Sequence, residues 1–229
     1  MLNYNTTRGV IELKKIQPSI IILSIFTIIA IITFYNFVPH NKSEYKIVID
    51  PGHGGKDQGA TGASGHFEKD FTLQLSRKVE ELSQEEPRLQ VELTRREDRF
   101  ISSIDHARPK LANDLHADLF ISIHGNTFDD PEVSGTETYY YHWNSLALAK
   151  IMHKHVVQKS GFQDRGVKKG NYFVLKDTTM PAVLLEMGYL THPKEEKEML
   201  TEEYQNRVAV AILDGIKEYL SLNEEPTLS

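Results

Sequence analysis

The sequence predicts an α/β fold: a single doubly wound domain with a central, mostly parallel sheet flanked by helices, preceded by one N-terminal transmembrane helix. Three observations predict it. Short apolar runs of strand type alternate with stretches of helical periodicity between residues 45 and 222. Several of those strands end in polar, glycine-containing turns. Ahead of them, Ser19–Val38 forms an almost wholly apolar run, and no Lys, Arg, Asp or Glu occurs from Ile16 to Asn41.

That apolar run comes first. Twenty helical residues at about 1.5 Å each span roughly 30 Å, the hydrocarbon thickness of a bilayer. A cleaved signal peptide is the competing reading. The run exceeds the usual h-region of about 7–15 residues, and Phe34-Tyr35-Asn36-Phe37-Val38 offers no small-x-small cleavage site. Arg8, Lys14 and Lys15 precede it against Glu12 alone, so residues 1–18 are expected on the cytoplasmic side and the remainder outside. The expected organisation is a cytoplasmic tail (1–18), an anchor (19–38), a linker (39–44), one α/β domain (45–222) and a tail (223–229).

Within the domain, Tyr45–Asp50 reads as a short buried strand stopped by Pro51-Gly52. Phe71, Leu75, Val79 and Leu82 recur at helical spacing, which predicts a helix over Asp70–Ser83. Leu89–Thr94 alternates as a strand. A helix is expected from about Ser103, with Pro109 kinking or shortening it. Asp118–His124 is a second buried strand. A strand at Thr136–Tyr141, a helix at Ser145–Lys159, strands near Tyr172–Leu175 and Ala182–Glu186, and a helix from Glu202 to Leu220 complete the series. The charge-rich Lys194–Glu203 reads as a solvated helix start.

Composition excludes several functions. Among 26 basic and 32 acidic side chains, residues 1–42 hold four and one, so the rest carries a net charge of −9. Nucleic-acid binding has no electrostatic support, and the domain is repelled by anionic lipids and wall polymers. There is no cysteine, which removes disulfides, thiolate metal sites and cysteine nucleophiles. The turn after the first strand lacks the glycine and hydroxyl of a P-loop around Lys56 and the third glycine of a dinucleotide fingerprint, so no nucleotide is indicated.

The chemistry sits at strand ends, where open α/β sheets bind ligands. One strand runs into Asp50-Pro51-Gly52-His53-Gly54-Gly55, another into His124-Gly125-Asn126, and a third into Glu186-Met187-Gly188. Two imidazoles and one carboxylate, with a position left for water, form a common catalytic zinc set. Spacing leaves the third ligand open among Asp57, Glu68 and Asp70. The histidines at 66, 106, 116, 142, 153, 155 and 192 match no motif and read as surface or packing residues. Asn126 is a candidate for positioning substrate, and Tyr139-Tyr140-Tyr141 reads as part of an alternating strand rather than a groove lining. Arg95 and Arg165 are expected to fix loops, and Asp50 to cap backbone N–H groups.

In order, Ile49-Asp-Pro-Gly-His-Gly-Gly55, Phe67-Glu-Lys-Asp70, Leu93-Thr-Arg95, Ala112-Asn113, Ala117-Asp-Leu-Phe-Ile-Ser-Ile-His124 with Asn126, Asp164-Arg-Gly-Val167 and Leu185-Glu-Met-Gly-Tyr189 form a set. With it, about Lys46–Leu220 resembles the zinc-dependent N-acetylmuramoyl-L-alanine amidases of the amidase-3 family, hydrolases of bacterial peptidoglycan. The chain departs from that pattern with Gly125 where alanine is commoner, Tyr189 where phenylalanine is, and Pro109 in a helix that usually lacks it. The resemblance implies one zinc ion held by His53, Glu68 and His124, with Glu186 as catalytic general base and acid. It implies hydrolysis of the amide between the lactyl group of N-acetylmuramic acid and L-alanine, through a water activated by the metal.

Two other readings compete: a zinc peptidase cutting within the stem peptide, and a non-catalytic wall-binding module. The expected partners are peptidoglycan or a muropeptide and, through the N-terminal helix, the membrane. Some relatives plug the metal site with a long helix after the second-histidine strand. Here Thr127–Ser134 is short and contains Asp129-Asp130-Pro131, so an open site that requires no activator is expected. No wall-binding repeat is recognised after the domain, so recruitment is expected from the anchor or an unseen partner.

Overall fold

The computed structural model describes residues 44–222. The expected anchor at Ser19–Val38, with both flanking segments, lies outside the described residues. Among the described residues, no helix is long and apolar enough to cross a membrane.

Six strands form one sheet: β1 (Tyr45–Pro51), β2 (Leu89–Leu93), β3 (Leu119–Asn126), β4 (Thr136–Tyr140), β5 (Asp164–Lys169) and β6 (Ala182–Tyr189). Their order is β2-β1-β3-β6-β4-β5. All neighbours are parallel except β4 and β6. The helices are α1 (Glu68–Ser83), α2 (Ala107–Asp114), α3 (Leu146–Ser160), α4 (Phe173–Lys176), α5 (Pro193–Met199) and α6 (Glu202–Tyr219).

Side-chain alternation makes this a two-faced core. Ile47 and Ile49 of β1, Ile121 and Ile123 of β3, and Val183 and Leu185 of β6 pack with α1, α3 and α6. The intervening Val48, Phe120 and Leu184 face Ala112 of α2 and Val174 and Leu175 of α4. Strands buried on both faces read as continuous apolar runs, which is why β1, β3 and β6 stand out in the sequence.

Four sequence expectations change. The run at Tyr172–Leu175 is not a strand: it is the start of α4, whose Val174 and Leu175 are buried. A short apolar run suits either element. The outermost strand on that side is instead β5, which is exposed at both ends, half-buried between them, and lacks an apolar period. Helix α2 begins at Ala107, four residues late. Pro109 sits in its first turn, where a missing N–H costs no helical bond, so the proline shortens the helix without kinking it. Lys194–Glu203 is not one solvated helix start either. Helix α5 ends at Met199 and α6 is capped by Thr201, while Glu195 and Glu196 are buried. Glu195 accepts the N–H groups of Gly135 and Tyr189, and Glu196 accepts that of Ser64.

Candidate active site

The carboxyl ends of β1, β3 and β6 lie side by side. Pro51 is in register with Ile123, and His124 with Glu186. Glu137 of the antiparallel β4 stands opposite Glu186. One face of the sheet therefore presents His124, Glu186 and Glu137 in a row, on the side of α2 and α4.

His53 lies just past β1 with φ 61°, a left-handed conformation costly for a non-glycine residue. Arg108 of α2 holds that turn. Its Nη2 donates to the His53 carbonyl at 2.5 Å, and its Nη1 donates to the Pro51 carbonyl at 2.7 Å and to Asp50 at 2.6 Å. Asp50 also accepts the hydroxyls of Thr94 and Ser122, so it binds side chains and does not cap backbone N–H groups. Burial opposes its ionisation, but Arg108, Thr94 and Ser122 together hold its carboxyl below the usual range. Arg95 fixes the loop as expected, donating to the carbonyls of Pro51, Gly52 and Lys69.

Glu68 enters as the first residue of α1, facing both histidines. Its Oε2 lies 3.1 Å from His53 Nε2 and its Oε1 lies 2.8 Å from His124 Nδ1. The two imidazoles meet edge to face at 4.9 Å. One ligand atom from each of His53, Glu68 and His124 lies within 4.8 Å of the others. Of the acids that spacing left open, Glu68 joins the histidines. Asp57 stands behind His53, 2.8 Å from Nδ1, and Asp70 is outside the cluster.

The surroundings fit a metal. A Cβ on Gly52 would lie 2.4 Å from the His124 ring, so only glycine lets the backbone pass that close. The His53–Asp57 contact directs Nε2 towards the cluster, and the Ala60 and Gly125 N–H groups orient the Glu68 carboxylate. Two imidazoles and a carboxylate are a donor set suited to a divalent ion such as zinc. Burial alone would lower the histidines' affinity for protons and raise that of Glu68. Their mutual hydrogen bonds win: His124 is pushed up to about 9, His53 also rises, and Glu68 falls well below the carboxylate range.

Glu186 lines the same cavity, of about 500 Å³, as the three residues of the cluster and Asn126. Among the described residues, its Oε2 is buried without a hydrogen-bond partner. Burial pushes its carboxyl up to about 7, against the pull of His124. A carboxyl poised near neutrality at the edge of a cation site can both accept and donate a proton.

Glu137 was not legible as a site residue. It accepts Arg165 Nε at 2.6 Å, Lys168 Nζ at 2.9 Å, and the hydroxyls of Tyr139 and Tyr189 at 2.5 and 2.9 Å. These donors overcome burial and pull its carboxyl down to about 2. The signal was an acid on the β4 face shared with Tyr139. The seven set-aside histidines stay outside the cluster. His153, for example, binds Thr138 and Asp164, and His192 caps α5. Between β3 and β4 the chain makes a turn near residues 129–132 and no helix.

The family model described as N-acetylmuramoyl-L-alanine amidase matches residues 47–218. The chain belongs to this amidase family. Among solved relatives, the catalytic domain of the N-acetylmuramoyl-L-alanine amidase CwlV from Bacillus (Paenibacillus) polymyxa var. colistinus is 47% identical. That match covers 77% of this chain and 98% of the other, with a TM-score of 0.75. The CwlD amidase from Clostridioides difficile, solved in complex with the GerS lipoprotein, is 31% identical over 78% of this chain and 99% of its own, with a TM-score of 0.72. The probable cell wall amidase LytH of Staphylococcus epidermidis is 35% identical over 177 residues, 76% of this chain. The chain spans 58% of the length of that curated relative.

Proposed function

We propose that this chain hydrolyses the amide between the lactyl group of N-acetylmuramic acid and L-alanine in peptidoglycan. In this reading His53, Glu68 and His124 hold one zinc ion, and Glu186 is the general base and acid. The carrying observation is Glu186 itself: a buried carboxylate oxygen without a partner, in register with His124 and in the cluster's own cavity. A zinc ion there would polarise the scissile carbonyl and acidify a water. Glu186 takes a proton from water and delivers it to the alanyl nitrogen, which leaves poorly unprotonated. Asp57 and Arg108 keep His53 in its left-handed turn, and Ala60 and Gly125 keep Glu68 aimed at both rings.

Digestion of purified peptidoglycan with and without chelator tests this reading. Mass spectrometry should find intact stem peptides released in the untreated reaction alone. Cleavage within the stem would replace the amidase by a peptidase. No activator is needed in this reading. Support comes from the helix-free connection between β3 and β4, although the CwlD relative was solved with a lipoprotein.

The proposal extends to location. The uncharged apolar run at Ser19–Val38, with basic residues before it, supports a single-pass anchor that holds residues 45–222 on the wall side. Fractionation tests it: the full-length chain should stay with membranes. A shortened soluble form in the medium would make the run a signal peptide.

A further inference from the structure

We propose that an aromatic ledge leading from the cavity to Trp143 is a second binding surface, for the glycan strand of peptidoglycan. It rests on the amidase reading but uses none of the residues assigned to chemistry.

The ledge starts at the site. Tyr172 lines the cavity and meets Tyr139 edge to face at 5.1 Å. Tyr139 follows Glu137 by two residues on β4 and shares its direction, and Tyr141, just past the strand, packs against the same core cluster as Tyr139. Beyond them, Trp143 is 72% exposed. The Lys169 ammonium lies 5.5 Å from the ring centres of both Tyr141 and Trp143, and among the described residues no carboxylate pairs with it.

An indole left in water beside a cation that also reaches a tyrosine ring is an aromatic surface with a polar rim, the kind that marks a binding site. Pyranose rings match it, with a C–H face for the aromatic rings and a border of hydroxyls for the lysine and the phenols. Nucleic acid is the wrong occupant for a domain of net charge −9. Distance sets the occupant's length. From Glu137, opposite Glu186, to Tyr141 is four residues, about 14 Å at 3.4 Å each, and Trp143 lies further on. A short muropeptide in the cavity does not reach Trp143; a polymeric strand does.

Trp143 is the only tryptophan of the chain, so its emission reports on the ledge directly. Titrating the full-length protein with an uncharged N-acetylglucosamine tetramer should shift and quench that emission saturably. Trp143→Ala should cleave a short soluble muropeptide at the parent rate and insoluble peptidoglycan about tenfold more slowly at limiting substrate. Phe128→Ala removes another exposed aromatic ring and should change neither rate. Unchanged emission with the tetramer, or parent rates of Trp143→Ala on both substrates, overturns the ledge. If the parent protein cleaves neither substrate, the amidase reading fails, while the emission titration still decides the ledge.

Discussion

Replacing Glu186 by glutamine should stabilise the metal-free protein while removing its activity. Burial raises the Glu186 carboxyl from an ordinary 4.5 to about 7. The folded state therefore holds a proton that the unfolded chain releases. Between pH 4.5 and 7 the folded state binds more protons, so stability falls as pH rises through that window and levels off beyond it. At 1.36 kcal/mol per pH unit, the loss amounts to about 3 kcal/mol above pH 7. Glutamine has the same shape and no proton to lose, so the variant lacks this slope. Chemical denaturation of chelator-treated protein from pH 4 to 9 measures it. The gap between Glu186→Gln and the parent should grow from near zero at pH 4 to about 3 kcal/mol at pH 8, roughly 6–12 °C in melting midpoint for a domain of this size. In metal-loaded protein the same variant should keep its ion and turn over about 10²–10⁴-fold more slowly. A gap independent of pH would refute the claim that Glu186 is buried near neutrality, and an unchanged rate would refute its role.

His53→Ala or His124→Ala should lose bound metal and activity together, measured by elemental analysis after gel filtration; stoichiometric metal in either variant removes that residue from the ligand set. Gly52→Ala should also weaken metal retention, because the new Cβ would press on the His124 ring at 2.4 Å; parent-like affinity would mean that the backbone shifts freely. Metal uptake should release protons and strengthen as pH rises to about 9, where His124 deprotonates, as titration calorimetry in two buffers of different ionisation heat can measure. Arg108→Met leaves Asp50 buried without its cation, and urea unfolding should show a loss of about 3–5 kcal/mol.

What was legible in the sequence follows from how each segment is buried. Strands β1, β3 and β6 are covered on both faces, so their apolar runs and the polar residues that end them were plain, and His53, His124 and Glu186 with them. Spacing alone does not fix which acid joins the histidines, because Glu68 arrives after a long loop and depends on where α1 starts, three residues before Phe71, the first of its periodic apolar side chains. Strand β5 was invisible for the opposite reason. An edge strand with a half-buried polar sequence carries neither a run nor an alternation. Glu137, Glu195 and Glu196 share a further difficulty. A charge run reads as solvated unless its partners are known, and theirs come from distant segments: Arg165 and Tyr189 for Glu137, Gly135 for Glu195, Ser64 for Glu196.

These buried charges explain how a sheet built for packing also holds a reactive site. Two-sided burial makes the strands rigid, and register then fixes His124, Glu186 and Glu137 side by side without further help. His53 is different, because it lies past the strand in a strained turn that the sheet does not hold. The Asp50–Arg108 pair supplies that support: Asp50 is anchored by three side chains, Arg108 among them, and Arg108 reaches beyond it to two carbonyls around the turn. An apolar pair of similar volume in its place can be as stable, because burying charge consumes most of the Coulomb gain. It could not donate to the carbonyls of Pro51 and His53. The ionic pair is thus explained by the geometry it imposes on the turn that carries His53 rather than by a net contribution to folding.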